Sequence, residues 1–373
     1  MDKKLIALAV AGLFVAPMAM ADNSSVVISG QIHMSVDSLD GMNAAGTGLD
    51  RQTNVSSNAS YIDFSGKEDM GNGLDAIWKL KTFVSMGGTG NSGDPYNTNA
   101  SDGFTNGPAY LGLAGKSWGA IKLGKDEAPM KVLGRKLDLF GNQIGDSRNL
   151  SMGFDNRPNN AIEYNSANWG GFSANVMYST NLSNAAATGP TAPSYTPTYT
   201  TSNSIDLTSA TAYYDAGPFF VGLGYEKIGT SKLGAGKVDT KDWRLGAGGN
   251  IGDFKLVAVY EKASDKGGNS GADQKVWGVG GAYKMGSNTI KAQYYKAGDV
   301  GNTANSGAKM YAIGFDHHLS KRTTAYLAYA RTNNDSNGKY SAFGAGHGDN
   351  PWASTVSGGL SPSGFSVGMI HNF

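Results

Sequence analysis

The sequence predicts an all-β fold: a transmembrane antiparallel up-and-down β-barrel of about 16 strands. Three observations lead to this prediction. Many segments of similar length alternate apolar and polar residues with the two-residue period of a strand. The connections between these segments alternate between short and long. An export signal is followed by no apolar run of the roughly 18 residues that a membrane helix needs. Aromatic residues, which favour strands, are also abundant, with 18 Tyr and 14 Phe among 373 residues.

The first residues predict a signal peptide. Lys3 and Lys4 supply its basic start, residues 5–15 its apolar core, and Ala19-Met20-Ala21 its cleavage site. Residues 1–21 are therefore expected to be removed, which leaves residues 22–373 as one barrel domain. This mature part carries 29 basic and 29 acidic residues. The balance of charge gives no support for nucleic acid as a partner, and we expect none.

Export alone leaves two architectures open. One is a soluble secreted or periplasmic protein, such as an adhesin. The other is a transmembrane β-barrel, whose strands alternate lipid-facing apolar and lumen-facing polar side chains. In such a barrel the negative mean hydropathy of the chain conceals its membrane face. The chain has no cysteine, so disulfides stabilise neither architecture.

The predicted strands begin with a clear example. In residues 26–37, Ile32 and Val36 share one face, and Gln31 and His33 share the other. The segments that follow have the same period, and their even number is typical of a bacterial barrel. The sixteen segments are residues 26–37, 61–67, 74–83, 109–115, 120–124, 161–165, 172–180, 205–214, 219–227, 241–251, 254–262, 275–284, 289–297, 309–318, 323–331 and 364–373.

The connections indicate how the strands are arranged. A membrane barrel has short turns on the periplasmic side and long loops outside, whereas a soluble sandwich has no reason to gather its long connections at one end. The last predicted strand ends at Phe373, and its pairing with the first strand would remove the free sheet edge. The short connections are residues 69–73, 116–119, 166–171, 215–218, 252–253, 285–288 and 319–322. The long ones are residues 38–60, 84–108, 125–160, 181–204, 228–240, 263–274, 298–308 and 332–363.

The third long connection, residues 125–160, differs from the others. Residues 125–157 carry five acids and six bases and show no strand period. Met130, Leu133 and Leu137 recur at helical spacing, and Pro129 precedes them as a helix start. A long charged loop with its own helix is usually functional or disordered. Two interpretations follow from these residues: a loop folded into the barrel that narrows a pore, or an ordinary surface loop.

Five stretches resemble the general porins of β-proteobacteria, the neisserial and Burkholderia-like type of Gram-negative porin. The resemblance implies a trimeric barrel of 16 strands in the outer membrane, surrounded by lipid and lipopolysaccharide, that passes small hydrophilic solutes and ions. It also implies that the third external loop, here residues 125–160, folds into the lumen as the constriction. The stretches are GKEDMGNGLDAIWKL at 66–80, AYLGLAGKSWGAIKLG at 109–124, RPNNAIEYNSANWGGFS at 157–173, HHLSKRTTAYLAYA at 317–330 and VGMIHNF at 367–373.

The sequence departs from that family at several basic positions of the wall. The family often has arginine where this chain has Tyr61 and Lys125, and glutamate where it has Lys81. It also often has arginine near residues 106–108, which read Asn-Gly-Pro here. Arg157 does match. The wall of the relatives therefore cannot be transferred whole, and the sequence leaves the sign of ion selectivity open, along with the natural solute and the pore radius.

Charged residues on the loop and on the facing wall are the candidate site, because a narrow low-dielectric channel focuses the field of its charges. Each of them could equally form a structural ion pair. The loop candidates are Asp126, Glu127, Arg135, Asp138, Asp146 and Arg148. The wall candidates, chosen for their lumen-facing parity, are Lys79, Lys81, Arg157, Arg244 and Lys291.

An enzyme is not expected. No histidine is set among neighbours that would make it a catalytic base, no His/Cys cluster has zinc spacing, and the chain shows no motif for a cofactor. The primary hypothesis is a passive, water-filled outer-membrane channel that selects by size and charge. A substrate-specific channel with a solute-binding site, an outer-membrane hydrolase and a soluble adhesin are the alternatives. The five histidines are His33, His317, His318, His347 and His371.

Overall fold

The structure, a computed structural model, describes residues 25–40, 51–86, 104–151, 154–182, 205–233, 236–301, 303–344, 346–348 and 358–373. The predicted signal peptide lies outside the described residues. Seventeen β-segments make one continuous antiparallel sheet. They are β1 (Ser25–Asp40), β2 (Gln52–Ser57), β3 (Tyr61–Asp69), β4 (Leu74–Phe83), β5 (Ala109–Gly115), β6 (Gly119–Lys125), β7 (Asn159–Ser166), β8 (Phe172–Asn181), β9 (Leu207–Ala216), β10 (Phe219–Ile228), β11 (Thr240–Ile251), β12 (Phe254–Ser264), β13 (Gln274–Met285), β14 (Asn288–Ala297), β15 (Ala308–His318), β16 (Thr323–Asn334) and β17 (Ser363–Asn372).

The sheet closes on itself. β1 pairs with β17 along one edge. Along its other edge, residues 25–31 of β1 pair with β3 and residues 34–39 pair with β2. β2 and β3 are two parts of one barrel strand, interrupted at residues 58–60, where Ala59 has a φ of 51°. The seventeen segments therefore form 16 strands, which confirms the predicted barrel. The prediction of residues 38–60 as a connection throughout was wrong, because β2 lies within it.

The two faces of the barrel are the reverse of those of a soluble protein. Large apolar side chains such as Leu111, Leu256 and Val367 lie exposed on the outside. Acidic and basic side chains such as Glu226 and Arg244 are buried on the inside. An exposed contiguous apolar surface indicates contact with an apolar medium. Strands that lie between lipid and a water-filled lumen alternate apolar and polar side chains in this way. The two-residue period of the sequence therefore produces the apolar outer face and the polar inner face.

The short turns are as tight as predicted. Gly217-Pro218 joins β9 to β10, and Gly252-Asp253 joins β11 to β12. The glycines have φ values of 68° and 58°. Two-residue hairpins of this type need positive φ, which glycine adopts without a Cβ clash. Because the short turns lie at one end of the barrel, the long loops, including the third, lie at the other end.

One α-helix is described, α1 (Pro129–Leu137), in the third loop between β6 and β7. Among the described residues, no helix is both long enough and apolar enough to cross a bilayer. Pro129 starts α1 at its first turn, where the missing N–H costs no hydrogen bond. Arg135 and Lys136 lie in its last turn, where positive charge offsets the helix dipole.

Candidate functional site: the inward third loop and its walls

The described residues of the third loop, 126–151 and 154–158, lie inside the barrel. Helix α1 packs on the inner faces of β9, β10 and β11. Met130, Leu133 and Leu137, the residues whose helical spacing predicted this helix, are fully buried against that wall. The opposite side of α1 carries Arg135 and Lys136, both exposed. The loop therefore presents charge to the lumen and apolar side chains to the wall.

Glycines in the wall make room for the loop. Each lies under one apolar loop side chain, and a Cβ added at any of them would approach that side chain to within 3 Å. Because real Cβ contacts are longer, a larger residue would push the loop into the lumen. The glycine and loop residue pairs are Gly224 with Met130, Gly222 with Leu133, Gly246 with Leu137, Gly280 with Leu139 and Gly314 with Phe140.

Polar side chains of the wall satisfy the backbone of the loop. Gln293 Nε2 donates to the carbonyl of Gly145 at 2.7 Å, and its Oε1 accepts from the amide of Leu139 at 3.0 Å. The hydroxyl of Tyr295 donates to the carbonyl of Leu137 at 3.1 Å. A buried loop carries backbone groups that would otherwise be unpaired, at a cost of about 1–3 kcal/mol each. These contacts fix the height of the loop in the barrel.

Arg244 of β11 is the most extensive of these tethers. Its side chain is 1% exposed. Nη1 donates to the carbonyl of Met130 at 2.8 Å and Nη2 to Ser151 Oγ at 2.9 Å. Nη2 also lies 2.7 Å from Glu261 Oε2. Predicted as a pore-wall charge, this residue does lie on the lumen face, but the loop covers it.

Lys291 of β14 is covered in the same way. Its ammonium lies 2.9 Å from Asp316 Oδ2 and donates to Gln143 Oε1 of the loop at 3.0 Å. The ammonium also sits 4.8 Å from the ring centroid of Phe140. Like Arg244, Lys291 holds the loop and is withdrawn from the water of the lumen.

The loop acids are held by loop and wall bases. Glu127 lies within 2.5 Å of Arg135 and 2.9 Å of Arg157. Burial alone would raise the pKa of Glu127, but the neighbouring cations hold it well below its usual range. Asp146 is fully buried and is bound by the guanidinium of Arg148. Glu127 is therefore ionised, and each of the two acids is paired with a base nearby.

Asp138 behaves differently. It accepts from Gln293 Nε2 at 2.9 Å and from the amide of Phe140 at 2.9 Å, and no base lies within ion-pair distance among the described residues. Burial, reinforced by the nearby Asp146, raises the pKa of Asp138 to about 7. Its charge therefore changes near neutral pH.

The wall that faces the loop is formed by β3 and β4. Asp63 lies between two lysines, 3.1 Å from Lys79 and 3.3 Å from Lys81. Lys81 Nζ also lies 3.4 Å from the ring centroid of Tyr61, and this ring meets Phe83 edge to face. The lysines were predicted from their parity; Asp63 was missed, although its alternation with outward-facing neighbours placed it on the same face.

A cavity of about 260 Å³ separates the loop from this wall. Five of the predicted site residues line it: Lys81 from the wall and Arg135, Asp138, Asp146 and Arg148 from the loop. The full lining is Gln31, Ala59, Tyr61, Lys81, Phe83, Gly134, Arg135, Asp138, Gly141, Asn142, Asp146, Ser147 and Arg148.

The other predicted residues lie around this cavity. Glu127 and Arg157 pair with each other at its edge, and the Arg157 guanidinium lies 4.9 Å from the ring centroid of Phe83. Asp126 lies farther along the wall, paired at 2.8 Å with Lys122.

A second loop, the eighth, which joins β16 to β17, also enters the lumen through its described residues 340–344 and 346–348. The sequence did not predict this. Phe343 is fully buried in one apolar cluster with Leu39 of β1 and Phe140 and Ile144 of the third loop. The amide of Gly145 donates to the carbonyl of Ala342 at 2.6 Å. The far end of the third loop is therefore held between the wall and this eighth loop.

Comparisons with known proteins agree with this architecture. The model of the Gram-negative porin family matches residues 7–337. The major outer membrane protein P.IB of Neisseria gonorrhoeae is 32% identical over 183 residues, 48% of each chain. An outer membrane porin protein of Bordetella pertussis is 29% identical over 217 residues, 56% of this chain and 53% of the relative. The matches thus span about half the length of these curated relatives.

Solved structures match over nearly the whole chain. The anion-selective porin from Comamonas acidovorans is 25% identical with a TM-score of 0.70, and the match covers 94% of this chain and 100% of that one. OmpT, an outer membrane protein of Vibrio cholerae, is 14% identical with a TM-score of 0.64, over 96% and 100%. At that identity OmpT shows the shared fold alone.

Proposed function

The chain belongs to the Gram-negative porin family, and on that premise we propose that it forms a passive, water-filled channel that favours small anionic solutes. Its barrel lies in the outer membrane. The third loop and the β3–β4 wall form the constriction. Solutes pass by size and charge, with no covalent step. The family is one of channels rather than enzymes, and no residue is assigned a catalytic role.

The observation that carries the proposal is the unequal exposure of the charges at the constriction. In two ion pairs of the loop the base is more exposed than its acid: 40% for Arg135 against 15% for Glu127, and 14% for Arg148 against 0% for Asp146. Arg157, at 6%, is the exception, since it is less exposed than Glu127. On the β3–β4 wall across the cavity, Lys79 is 28% exposed and its partner Asp63 is 9% exposed. A passing ion therefore meets positive charge first, and a narrow wall strengthens that field.

A further cation supports the same sign. Lys136 is exposed on α1 and lies over the rings of Tyr213 and Phe220, 4.6 and 5.3 Å from their centroids. In the described part of the chain it has no acid within ion-pair distance. Aromatic faces hold the ammonium without neutralising it. The Comamonas acidovorans structure, described as an anion-selective porin, makes the same selectivity a reasonable expectation here.

The remaining partners follow from the family. We expect three copies to assemble in the outer membrane, with lipid and lipopolysaccharide around them and small hydrophilic solutes and ions in the pore. The exposed apolar side chains Val26, Ile28 and Val55 provide an outer face suited to such contacts. No solute-specific site is proposed.

Reversal potentials across a planar bilayer test the proposal. Refolded trimer under a KCl gradient should give a potential of the sign set by Cl⁻. Arg135→Gln should move it toward K⁺, most strongly at low salt, where screening is weak. Lys262→Gln is the matched control, because Lys262 is exposed on the outward face of β12. Absence of conductance would refute the channel; a cation-selective wild type, or equal shifts in both variants, would refute the selectivity.

A further inference from the structure

The eighth loop reaches the constriction through residues 340–343 and 346–348, all of them buried. Among its described residues, Gly346 lies against a pore charge. A Cβ added there would lie 2.5 Å from Arg148 Nη2 and would also overlap Asn142 Oδ1. The backbone of this segment therefore forms one side of the pocket that holds the Arg148 guanidinium. A contact that holds residues 346–348 in place therefore also holds the Arg148 guanidinium in place.

The neighbouring residue, His347, faces a buried carboxylate. Asp37 of β1 is 0% exposed, and its Oδ2 lies 3.2 Å from His347 Nε2. Asp37 also accepts from Ser56 Oγ at 2.5 Å and from Ser35 Oγ at 3.1 Å. Among the described residues, His347 is the one basic side chain within ion-pair distance of Asp37. A buried carboxylate without a counter-charge is strongly unfavourable.

We propose that His347 is a positioning residue of the constriction, whose imidazole pairs with Asp37 and holds residues 346–348 of the eighth loop against Arg148. The inference rests on the proposed channel function. The pair is the electrostatic part of this contact; the amide of Gly348 adds a 2.7 Å hydrogen bond to Asn58 Oδ1. Both imidazole nitrogens lack an aligned hydrogen-bond partner among the described residues.

The buried carboxylate is what makes the pair necessary. The other imidazole of this region, His33 of β1, is engaged with the hydroxyl of Tyr326 of β16 at 2.9 Å. Without His347, the Asp37 carboxylate stays buried with no basic partner among the described residues. The segment is then held less firmly, and the pore widens.

Single-channel conductance of refolded trimer tests this directly. His347→Ala should conduct more than wild type, because it leaves the Asp37 carboxylate buried alone and frees the segment. Asp37→Asn removes the buried charge and should keep the conductance of wild type. The double variant should return toward Asp37→Asn, because no unpaired carboxylate remains.

His317→Ala is the matched control, since His317 is exposed at the opposite end of the barrel. It should conduct like wild type. The inference is overturned if His347→Ala conducts like wild type, or if the double variant conducts as much as His347→Ala. Heat-shifted gel mobility checks that each variant has folded.

A second readout separates the role of His347 from the channel function. The chain has no cysteine, so Ser341→Cys, at a fully buried position of the eighth loop, can be labelled alone. A thiol reagent added outside should react faster in the His347→Ala background than in wild type, and the Asp37→Asn background should stay slow. Equal labelling rates would refute the role of His347 even if the barrel conducts. The labelling rates can also be measured on a barrel that does not conduct, so the two proposals can fail separately.

Discussion

Replacing Arg244 by methionine should release the third loop from the wall. The guanidinium is buried under α1, with Glu261 at 2.7 Å, the carbonyl of Met130 at 2.8 Å and Ser151 Oγ at 2.9 Å. Methionine fills much of the same space and donates nothing. Among the described residues, Glu261, itself buried, then keeps one hydrogen-bond donor, the hydroxyl of Ser151 at 3.0 Å.

The size of the effect follows from that geometry. Removing one partner of a buried ion pair costs about 3–5 kcal/mol, because the other charge stays buried and unpaired. The barrel sheet does not include the loop, so the cost falls on docking of the loop. At 1.4 kcal/mol for each factor of ten, the ratio of docked to undocked loop should fall by about two to three and a half orders of magnitude.

Cleavage by trypsin added from outside measures this ratio. Arg135 and Lys136 lie in the docked helix and become accessible when the loop leaves the lumen. When opening is fast relative to cleavage, the cleavage rate follows the open population, so the fragment cut in the loop should form faster by the same factor. Lys241→Met, on an exposed position of the same strand, should leave the rate unchanged.

A double variant isolates the pair. Arg244→Met with Glu261→Met removes both charges of the 2.7 Å pair, and an apolar replacement of such a pair is close to neutral. The loop should therefore dock again, and cleavage should slow toward the wild-type rate. Asp155, 3.4 Å from Arg244 Nη1, also loses this partner, so the recovery should be incomplete. If the double variant is cut as fast as the single one, the ion pair is not what holds the loop. A single variant that is cut at the wild-type rate would refute the anchoring role altogether.

Three further predictions concern the same constriction. Arg135→Gln should reduce the preference for Cl⁻, measured as a reversal potential at low salt. The anion preference of wild type should fall as the pH rises through about 7, because Asp138, whose pKa burial raises to about 7, is neutral below that pH and negative above it; Asp138→Asn should remove that change. Gly246→Val should lower single-channel conductance, because a side chain there meets Leu137 and pushes the loop into the lumen.

Each of these has a result that would count against it. Gly281→Ala is the control for the glycine variant, since its added Cβ would lie 3.4 Å from the nearest atom, an ordinary contact. An equal effect of both glycine variants would mean that the barrel, and not the docking of the loop, was disturbed. A pH-dependent selectivity that persists in Asp138→Asn would assign the titration to another group. Unchanged selectivity in Arg135→Gln would show that this side chain lies outside the ion path.

Much of the barrel was predictable because the strand pattern depends on residues that are close together in the sequence. A strand between lipid and water must alternate side chains every two residues, so faces, strand number and turn ends can be read from the sequence. Lys79 and Lys81 were placed on the lumen face by this rule alone, and the helix of the third loop by the spacing of Met130 and Leu137. The one wrong connection, residues 38–60, contains a short strand of only six residues, Gln52–Ser57, too short to stand out by period.

The constriction was less predictable, because it depends on contacts between distant parts of the chain. Parity placed Arg244 on the lumen face, but it does not tell an open lumen from a wall covered by a loop. The entry of the eighth loop had no local signal either: Phe343 and His347 lie in a glycine-rich stretch without period. Their positions are set by Leu39 and Asp37, some 300 residues away in the chain.

The glycines of the wall connect these two levels. In a strand, glycine weakens packing and β-propensity, so its recurrence at lumen-facing positions must have a compensating cause. Here Gly222, Gly246 and Gly314 each lie under an apolar side chain of the third loop. The loop thus packs its apolar face against the part of the wall where glycines leave room, and its charged face is exposed to water. The selectivity of the channel and the strand glycines are then consequences of one docking surface, and a substitution at either side should be felt at the other.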